Sequence, residues 1–152
     1  RLDANAKYAQ LDYTGGPDSD RVDLGRDAGG DGGNSTLDMT LGGTNIMVLG
    51  KNAAANGGTI TYSGGTGSDR MLLGDKAAGN AVNQLGLPAI LDIDLGDDGA
   101  FDQVVFEGAF GVETYDRDGQ AIGNKVTISN ANPGDAIEFL AFKLSEVDRP
   151  WA

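Results

Sequence analysis

The residues best equipped for chemistry in this chain are its aspartates. Asp92, Asp94, Asp97, Asp98 and Asp102 crowd one short stretch, and Asp116 and Asp118 flank a second one that closes on Gly119. Carboxylates in such density suit a hard cation, which gathers six to eight oxygens from side chains, backbone carbonyls and water. The Asp116-Arg117-Asp118-Gly119 stretch also has the composition of an ordinary hairpin turn, and is read as one.

Other chemistries lack their parts. The chain has no Cys and no His, so zinc, haem, thiol and Ser-His-Asp sites have no ligands or bases. No G-x-S-x-G, Walker loop or Ser-x-x-Lys motif occurs. Asp98 with Glu107 or Glu113 could form a glycosidase pair, but among 23 acidic residues such pairs arise by chance, and the chain is read as a non-enzyme. A net charge of −12 repels phosphate backbones and anionic lipid, which disfavours nucleic-acid and membrane-surface roles. No run approaches the roughly 18 apolar residues of a membrane-spanning helix. Asn34-Ser35-Thr36 is a glycosylation sequon, a weak signal alone. Thr14, Thr40, Thr44 and Thr61 are too irregular for an ice-binding ladder. The start at Arg1 predicts a processed chain or a piece of a longer one.

Two Gly-rich stretches carry a sharper pattern. Gly64-Gly65-Thr66-Gly67-Ser68-Asp69-Arg70-Met71-Leu72 fits the nonapeptide G-G-x-G-x-D-x-U-x in full, and Gly15-Gly16-Pro17-Asp18-Ser19-Asp20-Arg21-Val22-Asp23 fits it less well. On these motifs residues 11–80 resemble degenerate calcium-binding repeats of the repeats-in-toxin (RTX) family. The resemblance implies a β-roll and Ca²⁺ held at Gly64, Gly65, Gly67 and Asp69, and at Gly15, Gly16 and Asp20. The departure is that neither motif is followed directly by another. The aspartates from Asp92 to Asp102 join the expected metal residues on composition alone.

The elements that position these residues are strands and turns. The 25 glycines disfavour helix and suit tight turns between short strands. Leu11-Asp12-Tyr13-Thr14, Leu37-Asp38-Met39-Thr40, Ile60-Thr61-Tyr62-Ser63 and Leu91-Asp92-Ile93-Asp94 share one alternation, each followed by a Gly turn. Aligned as written, they predict an apolar ladder of Tyr13, Met39, Tyr62 and Ile93. The opposite file would be Asp12, Asp38, Thr61 and Asp92. In the last third, the pattern predicts strands at 104–107, 111–115, 125–129 and 136–142, alternating with turns at 116–119 and 132–135. They resemble the closing strands of jelly-roll sandwiches in bacterial surface proteins, which implies surface display or sugar binding.

The expected fold is therefore all-β. A Gly/Asp-rich repeat region at 1–87 continues into an antiparallel sandwich-like region at 88–152, the alternative being a single β-sandwich. The expected function is a secreted, non-catalytic structural or adhesive module stabilised by Ca²⁺, in a bacterial surface layer, adhesin or extracellular filament. Its partners would be calcium, copies of itself or adjoining domains, and its place the cell surface. A carbohydrate-binding module that contacts polysaccharide is the alternative, favoured by aromatics exposed at loop tips.

Overall fold

The computed structural model describes residues 2–4, 10–78, 87–108, 114–115, 118 and 120–140. Its strands are β1 (Leu2–Ala4), β2 (Gln10–Thr14), β3 (Arg21–Leu24), β4 (Asn34–Asp38), β5 (Ile46–Leu49), β6 (Thr59–Ser63) and β7 (Arg70–Leu73). After them come β8 (Ile90–Asp94), β9 (Gln103–Phe106), β10 (Thr114–Tyr115), β11 (Ala121–Ile122), β12 (Lys125–Ser129) and β13 (Ala136–Phe139). No helix occurs among the described residues, as the all-β expectation requires.

From β2 onward the chain alternates between two sheets, so that each pair of strands forms one coil. One sheet has the order β1-β3-β5-β7-β9-β13, the other β12-β8-β6-β4-β2, and the pairs within both are parallel. The coils are β2–β3, β4–β5, β6–β7, β8–β9 and β12–β13. Between β9 and β12 lies the small antiparallel pair of β10 with β11. Of the 116–119 stretch read as a hairpin turn, Asp116, Arg117 and Gly119 lie outside the described residues.

Period-2 alternation explains the packing. Val22, Leu24, Leu37, Met47, Leu49, Ile60, Tyr62, Met71, Leu73, Leu91, Ile93, Val104 and Phe106 point between the sheets and are buried. Each fully buried side chain of this size stabilises the fold by roughly 1.5–3 kcal/mol. Small residues line the turns that lead from the six-stranded to the five-stranded sheet, at 25–33, 50–58 and 74–78. There Asp27, Asp31, Asn52, Asn56, Lys76, Ala54 and Ala78 take positive φ, between 51° and 66°. The turns stack through Asp27 N–H to the Lys51 carbonyl at 2.9 Å, Asp31 N–H to Ala55 at 2.8 Å and Ala78 N–H to Ala53 at 2.8 Å.

Two expectations are corrected. The last third is not an antiparallel sandwich: β8, β9, β12 and β13 join the same parallel sheets as the earlier strands, with Thr59 opposite Ile90 and Ile90 opposite Lys125. Alternating patterns and turns are common to parallel and antiparallel strands, so they do not specify direction. The pairing thus runs across the 87/88 division. The apolar ladder is also shifted by two residues in its second rung, and reads Tyr13, Leu37, Tyr62, Ile93 and Ile128. A slip of two leaves every side chain on its own face, so the alternation could not reveal it.

The corrected register resolves a repulsion. On the outer face of the five-stranded sheet one file is Asp12, Thr36, Thr61, Asp92, Thr127 and the next is Thr14, Asp38, Ser63, Asp94, Ser129. In these two files no two aspartates stand directly opposite each other, whereas carboxylates on facing positions would destabilise the pair.

Candidate metal-binding edge

The turns that lead from the five-stranded to the six-stranded sheet occupy residues 15–20, 39–45, 64–69, 95–102 and 130–135, and they stack along one edge. They carry Asp18, Asp20, Asp69, Asp97, Asp98, Asp102 and Asp135, and no Lys or Arg. The opposite edge mixes signs, with Arg26 Nε 3.6 Å from Asp27 and Lys51 Nζ 3.3 Å from Asp75. The first edge therefore concentrates negative potential.

Most of the expected metal residues meet there. Gly15, Gly16 and Asp20 lie in the first coil, Gly64, Gly65, Gly67 and Asp69 in the third, and Asp97, Asp98 and Asp102 in the fourth. Asp92 and Asp94 do not join them. Both lie on the outer face of β8, where Asp94 Oδ1 accepts from Gly96 N–H at 3.0 Å and Asn130 Nδ2 at 2.7 Å.

The residues just before β3, β5, β7, β9 and β13 build a ladder. Asp20 N–H donates to Asn45 Oδ1 at 3.0 Å, Asn45 N–H to Asp69 Oδ1 at 3.1 Å, Asp69 N–H to Asp102 Oδ1 at 2.7 Å and Asp102 N–H to Asp135 Oδ1 at 2.9 Å. A side-chain oxygen from each coil thus satisfies a backbone donor of the coil before it. The donors sit in turns and cannot pair within a strand.

Asp69 is fully engaged. Its Oδ1 also accepts from Asn45 Nδ2 at 2.9 Å, and its Oδ2 accepts the Tyr62 hydroxyl in a short hydrogen bond. Burial raises its pKa, while the Tyr62 and Asn45 donors pull the other way. The Tyr62 hydroxyl is raised too, by burial first and then by the Asp69 charge. The first coil repeats the pairing, with Tyr13 OH donating to Asp20 Oδ1 at 3.1 Å and Gly16 N–H to Asp20 Oδ2 at 2.7 Å.

The glycines of the nonapeptide make room for this stacking. A Cβ on Gly64 would lie 2.6 Å from the Leu95 carbonyl and 3.0 Å from Asp69 Oδ2; one on Gly65 would lie 2.6 Å from the Met39 carbonyl. At Gly67, where φ is +144°, it would meet the Gly43 carbonyl at 2.3 Å. Gly16 faces open space.

Asp98 bridges two coils, accepting Gly67 N–H on Oδ2 and Ala100 N–H on Oδ1 at 2.7 Å. Asp102 has no exposed surface, its Oδ2 has no protein partner, and burial pushes its pKa up to about 6. Among the described residues no group of three or more His, Cys, Asp or Glu forms a ready metal set, so any ion here would draw on turn carbonyls and water as well.

Sequence reasoning did not single out Asn45, Asp135 or the Tyr–Asp pairs. The signal was present in the shared spacing of Tyr13 to Asp20 and Tyr62 to Asp69, and in the Asx residue that precedes four of these strands besides the one after Asp69. Comparison with family models, with curated proteins and with solved structures finds no match to this chain.

Proposed function

We propose that this chain is a non-catalytic, secreted structural module: a β-roll whose stacked turns are stabilised by calcium. The observation that carries the reading is the edge itself, where the stacked turns hold seven aspartates and no lysine or arginine of their own. Like charges brought together by folding destabilise the fold unless a cation or protons offset them, and a bound cation then contributes its binding free energy to folding. The repeats-in-toxin resemblance of 64–72 supports calcium as that cation. In a chain without cysteine, an ion of this kind supplies the cross-link that disulfides give other secreted domains. Coils of neighbouring domains or copies would extend the two sheets at their end strands.

The test is a melting curve of the purified chain in chelator and in rising Ca²⁺. A rise in Tm with Ca²⁺ supports the reading, and curves that superimpose through millimolar Ca²⁺ sink it.

One observation favours polysaccharide binding instead. Phe101, in the turn of the fourth coil, is 53% exposed. Tyr62 is buried and Tyr13 half-buried, while Tyr115's side chain and Trp151 lie outside what the structure describes. Retention of the chain on insoluble polysaccharides, lost in Phe101→Ala, would favour that alternative.

A further inference from the structure

The coils come in two kinds, and one of them breaks the rule. In the first and third, a Tyr on the apolar ladder (Tyr13, Tyr62) is followed by Gly (Gly15, Gly64) and then by an Asp that takes the Tyr hydroxyl (Asp20, Asp69). In the second and fourth, the Tyr is replaced by Leu37 or Ile93 and the Gly by Met39 or Leu95, all of them buried. The second coil compensates by placing Asn45 on the ladder. Its Nδ2 donates to Asp69 Oδ1 at 2.9 Å, with the Gly42 and Gly43 carbonyls each at 3.4 Å. The amide needs no hydroxyl and brings its own hydrogens to a place surrounded by acceptors.

The fourth coil has the aliphatic rung but not the amide. Asp102 stands where Asn45 stands, and receives no tyrosine hydroxyl. Its Oδ1 accepts Asp69 N–H, as Asn45 Oδ1 accepts Asp20 N–H. Its other atom is an oxygen instead of an NH₂, and no protein donor reaches it. In the second coil that atom faces the carboxylate one coil on, which here is Asp135. Asp135, Asp69 and Asp98 all act on Asp102 with the same sign of charge. An acceptor meets acceptors in a site closed to bulk solvent, and a buried carboxylate is retained only when something positive offsets it.

We propose that a divalent cation, Ca²⁺ by the hardness of its ligands, is held between Asp102 and Asp135, in the position that the Asn45 amide fills two coils earlier. This rests on the reading of the edge as calcium-stabilised, and moves the ion from the complete nonapeptide to the fourth and fifth coils. Turn carbonyls and water complete its six to eight oxygens. Asp135 also accepts on both oxygens, Asp102 N–H on Oδ1 at 2.9 Å and Asn132 N–H on Oδ2 at 2.5 Å, but it is only half-buried and keeps lone pairs open to an ion. Asp69 is buried, accepts three donors and is a rung of the scaffold that does not ligate the ion.

The test compares Tm in chelator and in Ca²⁺ for the full chain, Asp102→Asn, Asp135→Asn and Asp69→Asn. The unaltered chain should rise by about 5–10 °C at free Ca²⁺ about 100-fold above Kd. Asp102→Asn, which imports the arrangement of Asn45, should melt higher than the unaltered chain in chelator and lose the rise. Asp135→Asn should lose it too, and Asp69→Asn should keep it. Equilibrium dialysis with Ca²⁺ alone should show one ion fewer per chain in Asp102→Asn, which decides the matter should a variant melt too low to compare. If the chain responds to Ca²⁺ but Asp102→Asn responds equally and binds as many ions, this assignment is overturned while the calcium-stabilised edge stands. If the unaltered chain binds no Ca²⁺, both fall, and the buried oxygen is met by a proton or a water only.

Discussion

The Tyr62 hydroxyl donates to the carboxylate of Asp69 from the far side of a Gly-Gly turn, and neither group is in contact with solvent to any useful degree. That bond ties the strand before the turn to the residue that opens the strand after it, so the turn is closed at its base by side chains. Tyr13 and Asp20 close the first coil in the same way.

Tyr62→Phe leaves the Asp69 Oδ2 buried and without its donor, and should lower stability by roughly 2 kcal/mol. Tyr13→Phe should cost less, since its site is half-buried and water can replace the hydroxyl. Urea unfolding of the two variants, followed by circular dichroism, measures the difference; equal losses would mean that burial of the pair is not what sets its strength.

Alkaline pH should act on the same pairs. Both tyrosine pKa values are raised above the ordinary 10.0, by burial first and then by the neighbouring aspartate. The folded state therefore holds the phenolic proton more tightly than the unfolded chain. The stabilisation is fully present below pH 10 and is lost as pH rises from there toward the folded values. Stability of the chain should fall above about pH 10, and Tyr62→Phe should fall less steeply from its lower starting point. A parallel slope in the two proteins would place the alkaline sensitivity elsewhere.

The glycines of the edge should separate by contact. Gly64→Ala drives a methyl into the Leu95 carbonyl and should cost about 1–3 kcal/mol. Gly16→Ala enters open space and should stay within about 0.5 kcal/mol. Both glycines belong to nonapeptide-like motifs, so thermal melts that show equal effects would argue against stacking as the reason for them.

Asp69→Ala and Asp118→Ala should differ even in chelator. The first strands the Tyr62 hydroxyl and the Asn45 amide groups in a buried site, a loss of roughly 3 kcal/mol. Asp118 is exposed in the turn beside β11, and its removal should change stability by less than about 0.5 kcal/mol. Denaturant midpoints in the absence of metal report this scaffold role free of any ion.

Much of this architecture is legible in the sequence. The segments starting at Leu11, Ile60 and Leu91 fall inside β2, β6 and β8, because period-2 alternation bounded by glycine turns is what a half-buried short strand requires. The Leu37-Asp38-Met39 segment misled because it copies Leu11-Asp12-Tyr13 at a position two residues late; its true rung is Leu37, set by pairing with Tyr13 and Tyr62. Strand direction in the last third was not legible, since it depends on the chain returning to the same sheet after two turns. The edge was half legible. The nonapeptide pointed to Asp69 and composition to Asp98 and Asp102, but their differing states depend on Tyr62, Gly67 and Asn45, which reach them through space from other coils or across a turn.

The column Gly15, Met39, Gly64 and Leu95 alternates empty and filled positions, with Met39 Sδ only 2.5 Å from where a Cβ on Gly15 would be. Each coil is thus shaped to its neighbour and not to itself, like the two halves of a hinge. The smallest unit that can be duplicated or excised without mismatch is a pair of coils. Losing the second coil alone would set Gly15 beside Gly64 and leave a gap, and losing the third would press Met39 toward Leu95. Lengthening or shortening of this scaffold, whether by natural duplication or by engineering, should accordingly proceed in steps of two.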